Sequence, residues 1–445
     1  MGSLLITNGK VITLGKNNQV IDNGAVLIEN STIKAVGATD VLSKQYPRAN
    51  SLNAQGKIVM PGMICTHHHL YSTMARGMKP PGEPAENFVQ ILERLWWKLD
   101  YALTKDDVYY SAIMPLIECI QNGTTTIIDH HASPNCRDGS LDIIEKAVLE
   151  AGIRTSLCYE VSDRNIAGGG INENVRFIKK CRAANPERQA LITAMMGLHA
   201  SMTISPETLE SCVGHAKDLG VGCHIHVAED LADREDSIDK YGIPTVTRLI
   251  RAGAGGKKSI FVHCIHIDEN EIDLLADSNT MVVHNPESNM NNAVGVSPVL
   301  KMLHNGILVG LGTDGMTSNM FLQTRVAYLL HRLHKRDPRV AFAEAPQMAL
   351  WNNATIANRL FPITLGKIAE GAAADIILVD YTSPTSFSVD NFLGHFIFGL
   401  YDAQVDTTIC NGRLLMKDKK ILHLDIEKLA SKCTESATKI WGKLK

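Results

Sequence analysis

The sequence predicts an α/β fold: a (β/α)8 TIM-like barrel with a flanking β-sandwich built from both chain ends. Three observations carry that expectation. Between about residues 57 and 365, apolar strand-like runs alternate with helical stretches, and eight strand candidates can be counted. At both ends the pattern changes to short apolar runs cut by turn signals. Finally, the residues able to do chemistry fall at or just beyond the C-terminal ends of the middle strands, which is the catalytic face of a barrel. A doubly wound parallel sheet is the alternative, and the last observation favours the barrel. The expected domains are 1–56, the first part of the sandwich; 57–365, the barrel; and 366–445, the rest of the sandwich with a C-terminal helix.

In chain order, Leu4-Leu5-Ile6 leads through Asn8-Gly9 to Val11-Ile12-Thr13-Leu14, and Asn23-Gly24 precedes Ala25-Val26-Leu27-Ile28. These runs read as a small antiparallel unit. The barrel strands are expected at Ile58–Thr66, Thr124–Asp129, Arg154–Tyr159, Leu191–Leu198, Val221–His226, Ser259–Val262, Thr280–Val283 and Ile307–Gly312. Helices are expected at Asp107–Asn122, where Pro115 should introduce a kink, and at Ser140–Ala151, Asn172–Ala184, Pro206–Leu219 and Met320–Lys335. Residues 74–100 make a long connection containing Pro80, Pro81, Pro84 and the pair Trp96-Trp97, readable as an active-site lid or as a surface loop pinned by two tryptophans. The strand Ala374–Asp380 and the hairpin signal around Asn411-Gly412 return the chain to the sandwich. Residues 424–445 read as a solvated terminal helix.

Composition narrows the function classes. The 445 residues are 45% hydrophobic, enough for a large core, and the net charge of −3 offers no stripe for nucleic acid or an anionic membrane. Ten scattered cysteines without a C-x-x-C pair fit reduced thiols. Met1-Gly2-Ser3-Leu4-Leu5-Ile6 lacks the basic stretch of a secretory signal, and no apolar run reaches the ~18 residues of a membrane span. A cytoplasmic protein with a small-molecule substrate is expected, with no nucleic-acid and no membrane partner.

The chemistry centres on Thr66-His67-His68-His69-Leu70, which closes the first barrel strand. Side chains alternate along a strand, so His67 and His69 point one way and His68 the other, and two such imidazoles can share a metal. His226 ends the fifth strand, and Glu229 follows a turn that can bring a carboxylate back over the same site. Metal-assisted hydrolysis needs a carboxylate beside the metal to carry the proton released by the activated water. A helix N-terminus would also favour Glu229 and Asp230. His263 ends the sixth strand and can orient the attacking hydroxide. Asp314 directly follows the apolar eighth strand, where an acid is costly unless paired, hydrated or metal-bound. Three histidines and this carboxylate suit one Zn²⁺, with Fe²⁺ or Mn²⁺ as rivals. His199 and His284, ending the fourth and seventh strands, are candidates for the same mouth, while His130, His131 and Glu160 each have an ordinary hydrogen-bonding explanation. The G-x-G-x-x-G match from Gly310 to Gly315 stands alone and is set aside. There is no H-E-x-x-H and no P-C-x-x-C.

Taken together, these residues resemble the amidohydrolase superfamily over nearly the whole chain. The motifs are Pro61-Gly62 leading to His67-x-His69, His226-x-x-Glu229, His263-Cys264, His284-Asn285-Pro286 with Ser288-Asn289, and Leu311-Gly312-Thr313-Asp314-Gly315. Gly366 to Gly371 with Ala374-Asp375 resembles the family's return to its β-sandwich. The subgroup resembled is the single-metal deaminases of amino-purines, adenosine derivatives and chlorinated triazines. Within it, the run Glu86-Asn87-Phe88 to Trp96-Trp97, with Asp129-His130-His131-Ala132-Ser133-Pro134, is similar to a branch associated with selenium-dependent purine metabolism. The resemblance implies His67, His69, His226 and Asp314 as ligands, Glu229 as proton shuttle and His263 as partner of the hydroxide. Glu229, His263 and Asp314 thus form the catalytic group. His199, His284, Asn289 and Trp97 are the candidate substrate contacts, and a homodimer is implied. One departure stands out: relatives acting on adenosine derivatives carry Pro-Tyr where this chain has Ser201-Met202 after Ala200.

The expected function is metal-dependent hydrolytic deamination of a purine-related N-heterocycle. The alternatives are hydrolysis of a cyclic amide or ureide in a purine-derived ring, which releases no ammonia, and a non-catalytic binding barrel.

Overall fold

The structure is a computed structural model that describes residues 3–79 and 82–444. Met1, Gly2, Pro80 and Pro81, which entered the sequence reading, lie outside the described residues. Eight parallel strands form a ring. They are Met63–His68, Thr124–Asp129, Arg154–Leu157, the interrupted pair Ile192–Ala194 and Met196–Ala200, Cys223–Val227, Ile260–His263, Met281–His284 and Val309–Leu311. The ring closes where His68 pairs with Asp314, and the Thr313 and Asp314 amides donate to the His67 carbonyl. Ile128, Ile260, Val262, Met281 and Val283 on three strands, with Cys158 just past the third and Met195 in the break of the fourth, share one buried cluster, which fills the barrel's interior.

The helix Lys105–Gln121 runs unbroken through Pro115. Ser140–Ala151 and Met320–Lys335 lie where the apolar period placed them. The long connection is helical from Phe88 to Ala102, with a widened turn over Leu92–Trp96. The terminal helix Ile426–Lys443 is less solvated than expected. It buries Ser436 and Ile440, Ser436 bonds Asp107, and the Trp441 indole donates to the Met74 carbonyl at 2.8 Å.

Both chain ends join in one nine-stranded sheet. Leu4–Ile12, Val20–Glu29 and Thr32–Ala38 sit at one end of it, and Ile376–Asp380, Gln404–Cys410 and Arg413–Lys417 at the other. The sheet curls over one apolar cluster containing Ile6, Val26, Ile33, Val59, Ile376 and Ile409. Its Thr32–Ala38 edge folds back on the segment leading into Ile376–Asp380, where the Ile33 amide donates to Ala372.

The first barrel strand differs from the expectation. Ile58–Thr66 is not one strand: Ile58–Pro61 belongs to the outer sheet, pairing with Leu4–Ile12 and Ile376–Asp380, and the barrel begins at Met63 rather than near residue 57. The handover is Gly62, where a Cβ would lie 2.2 Å from the Thr125 hydroxyl. Both halves are buried, so one apolar run covers two strands. A second tie joins barrel to sheet. The buried Arg154 guanidinium, on the third barrel strand, donates to both oxygens of Asp375 at 2.9 and 3.0 Å.

Candidate active site

The fifth strand shows how local structure builds the site. Cys223, Ile225 and Val227 pack outward into the helix layer, which turns His224 and His226 inward. Ala228 then adopts a left-handed backbone, φ 45°, and Glu229 returns over the barrel mouth. The sixth strand uses the same device. Val262 points inward, so simple alternation would send His263 out, but φ 71° at His263 re-aims it to the mouth. Asp314, with φ 53°, sits just beyond the eighth strand. Such conformations cost about 1–3 kcal/mol each and persist where surrounding structure fixes them. Gly312 allows this approach, since a Cβ there would come within 2.8 Å of the His67 Cβ.

His67, His69, His226 and Asp314 converge so that one ligand atom from each lies within 4.8 Å of all the others. His69 Nε2 is 3.1 Å from His226 Nε2 and 3.0 Å from Asp314 Oδ1, and His67 Nε2 is 3.5 Å from the same oxygen. Four ligands on one tetrahedral cation at ~2.1 Å would be ~3.4 Å apart. The outer nitrogens fix the tautomers. His69 Nδ1 donates to the His130 carbonyl at 2.6 Å, and His226 Nδ1 to the His199 carbonyl at 2.8 Å. Their Nε2 atoms therefore face each other across 3.1 Å, which a shared proton or a cation reconciles. His67 Nδ1 contacts His224 Nε2 at 2.9 Å, which leaves its buried Nε2 without a hydrogen-bond partner among the described residues. Burial opposes protonation of His69, yet Asp314 outweighs it and lifts that imidazole to about 9. A proton there satisfies two contacts; a divalent cation satisfies all four ligand atoms. Three imidazoles and a carboxylate fit such an ion.

Around the quartet, Ser288 Oγ donates to Asp314 Oδ2 at 2.5 Å. Glu229 Oε2 lies 3.4 Å from His263 Nε2, and Asn292 Nδ2 donates to Glu229 Oε1 at 3.3 Å. Burial pushes Glu229 up to about 7, with His263 pulling the other way. His263 Nδ1 donates to Asn289 Oδ1 at 2.8 Å, which leaves Nε2 toward Glu229 and Asp314, 3.8 Å from the latter.

A cleft above the quartet is partly open to solvent. Its walls include Tyr71, Phe88, Trp96, Trp97, His199 and Met202. The helical part of the long connection, from Phe88 to Asp100, thus walls the site. Trp97 and His199 both stand in the wall, edge to face with centroids 6.3 Å apart. His199 Nδ1 contacts Thr203 Oγ1 at 2.7 Å, and burial, against the pull of Glu160, lowers the imidazole to about 4.

Two expected substrate contacts lie elsewhere. His284 does not reach the cleft. Val283 fills the barrel interior, so His284 alternates outward and meets His331 of Met320–Lys335 at 3.1 Å. Asn289 is fully buried behind His263 and orients that imidazole instead of lining the cleft. His68 points away as expected, toward Ser318. His130 donates from Nε2 to the Leu198 and His224 carbonyls, and His131 contacts Ser133.

Sequence reasoning missed Asp100, Arg164 and Asp233. Asp233 accepts from the Met202 and Ala228 amides, both at 2.8 Å, and so holds the turn that presents Glu229. Burial raises Asp233 to about 6, against those two bonds. The one available signal was an acid four residues after Glu229 in a helix start, which a cap explains equally well.

Residues 58–415 match the sequence pattern described as "Amidohydrolase family". Among curated relatives, the chain is 31% identical over 451 residues to a 5-methylthioadenosine/S-adenosylhomocysteine deaminase of Pelotomaculum thermopropionicum, covering 99% of each. It is also 31% identical to a 5'-deoxyadenosine deaminase of Methanosarcina mazei, again over 99% of each chain. Among solved structures, an adenosine deaminase from Xanthomonas campestris with bound zinc superposes with a TM-score of 0.86 at 22% identity, covering 98% of both chains. That likeness speaks for the fold. Among the described residues, no helix is long and apolar enough to cross a membrane.

Proposed function

The chain belongs to the amidohydrolase family, and from that premise we propose that it is a hydrolytic deaminase, releasing ammonia from a purine-related amino-heterocycle with one divalent metal, zinc. The observation that carries this reading is the placement of Glu229. It stands beside a complete three-histidine, one-carboxylate set without belonging to it, 3.4 Å from His263.

His67, His69, His226 and Asp314 would hold the metal. Bound there, it would supply Lewis acidity that brings a water's pKa down to ~7. Glu229, pushed by burial to about 7, is poised to take that water's proton at neutral pH. It then delivers that proton to the ring nitrogen beside the attacked carbon, takes the proton of the newly added hydroxyl as the carbonyl forms, and passes it to the departing amine. Water adds its oxygen to the carbon, the C–N bond breaks, and ammonia leaves. His263, its tautomer fixed by Asn289, hydrogen-bonds the attacking oxygen, and Asp314 shares that task. His199 and Trp97 contact the heterocycle, and the aromatic walls exclude water from it.

The ten free thiols, eight of them buried, support placing the protein in the cytoplasm. The test is ammonia release by the metal-loaded protein against purines, oxidised purines, pterins and triazines. Ammonia from a purine-related ring supports the proposal. Loss of ring absorbance without ammonia would replace it with ring hydrolysis.

A further inference from the structure

Glu229 and Asp314 are tied to one another by a side chain that the proposed chemistry leaves without a role. Asn292 directly follows the helix Pro286–Asn291 and lines the cleft with Glu229 and Ser288. Its backbone gives no reason for an amide there. At φ −83° and ψ −4° it closes the helix by donating its own N–H to the Ser288 carbonyl, a conformation open to almost any residue.

The side chain serves the site instead. Asn292 Nδ2 lies 3.3 Å from Glu229 Oε1 and 3.4 Å from Ser288 Oγ. Ser288 has one hydroxyl hydrogen and gives it to Asp314 Oδ2, so toward Asn292 its oxygen is an acceptor. The amide thus has two hydrogens and meets two acceptors. Its own oxygen accepts from Asn291 Nδ2 at 3.1 Å, which fixes which way the amide faces. One side chain thereby links Glu229 to Asp314 through Ser288. The link also makes the two oxygens of Glu229 unequal. Oε1 accepts from Asn292, whereas Oε2 faces His263 Nε2, whose ring carries its proton on Nδ1. An oxygen that already accepts a hydrogen bond is the weaker base.

Resting on the deaminase reading above, we infer that Asn292 is a positioning residue for the proton shuttle: it pins Glu229 Oε1 to the Ser288–Asp314 pair and leaves Oε2, on the His263 side, as the oxygen that takes the water's proton and hands it on. Asn292 acts through Glu229 and does not contact the heterocycle. Its bonds are long for hydrogen bonds, so its loss slows the proton transfers without abolishing them.

The test is Asn292→Leu, which keeps the side chain's volume and removes both donors. Ammonia release from adenine, guanine and 2,6-diaminopurine gives kcat and KM for the full-length, metal-loaded wild type and variant. Metal analysis is run on the same samples, and crystals of both proteins locate the Glu229 carboxylate. Positioning predicts a fall in kcat of about 3- to 30-fold, the contribution of one or two ordinary hydrogen bonds. KM should stay within about twofold, metal content should stay at one ion per chain, and the Glu229 carboxylate should turn or split between two orientations. Asn292→Gln, which returns the NH2 group on a longer stem, should recover part of the lost kcat. A kcat within about twofold of wild type overturns the inference, and so does a Glu229 carboxylate that stays in place. A rise in KM that accounts for the whole loss also overturns it, by making Asn292 a substrate contact. Should Asn292→Leu fail to fold, Asn292→Ala takes the same measurements. If the wild type releases no ammonia from any ring, the deaminase reading falls, while the crystals still judge whether Asn292 holds Glu229.

Discussion

Replacing Asn289 by alanine tests how the proton-handling pair is built. Asn289 and His263 are both fully buried, and the 2.8 Å bond between them fixes which imidazole nitrogen carries the proton. In Asn289→Ala the bond is lost, and Nδ1 of the fully buried His263 loses the partner that holds it. Leaving a buried donor unpaired costs about 1–3 kcal/mol. If that cost is relieved by switching tautomer, Nε2 turns from acceptor to donor toward Glu229 and Asp314, and catalysis bears the cost. At 1.36 kcal/mol per decade this is a loss of about 5- to 150-fold in kcat. Asn289 touches none of the four ligand side chains in this structure, so metal content should stay at one ion per chain, and KM should change less than kcat. The assay is steady-state ammonia release alongside metal analysis of the same sample. Activity within twofold of wild type, with His263→Ala inactive, would refute the tautomer argument, and so would loss of metal from Asn289→Ala.

Other expectations follow from the same geometry. Glu229→Gln should lower kcat by about 10²–10⁴-fold while leaving ligand binding nearly intact, as checked by titration calorimetry with the reaction product. Burial raises Glu229, and only its ionised form can take a proton, so kcat should climb with pH and level off above about 7; a flat profile from pH 5 to 8 would contradict its role as base. Arg154→Leu strands the Asp375 carboxylate at the junction of barrel and sheet and should cost about 3–5 kcal/mol in denaturant unfolding, whereas Arg154→Leu with Asp375→Leu should recover most of it. Removing metal with a chelator should abolish activity and lower the unfolding temperature, and a hundredfold excess of the ion over its Kd should restore about 2.7 kcal/mol of stability.

Much of the site was legible because strands write their geometry into sequence with a period of two. His67 and His69 face one side and His68 the other, as spacing alone required. The acid after the eighth strand, Asp314, was visible as a carboxylate too costly to bury unpaired. Period alone also misled. His284 closes its strand and His226 lies one residue from the end of its own, but the inward residue of the seventh strand is Val283, and a histidine near a strand end does not announce its parity. His263 reaches the mouth only through a left-handed backbone that no pattern encodes. Asp100 and Arg164 were illegible for a different reason: they meet from segments 64 residues apart, and each alone reads as a surface charge. The outer sheet's claim on Ile58–Pro61 was hidden because both sides of Gly62 are equally apolar.

Diffraction from crystals of the metal-loaded protein, recorded at the zinc absorption edge, tests the central claim most directly. The account predicts one anomalous peak per chain, at ~2.0–2.2 Å from His67 Nε2, His69 Nε2, His226 Nε2 and an Asp314 oxygen, with the Glu229 carboxylate beside the ion but not bound to it. A peak ligated by Glu229, two peaks sharing the cleft, or an ion seated on Glu160 and His199 instead would contradict it.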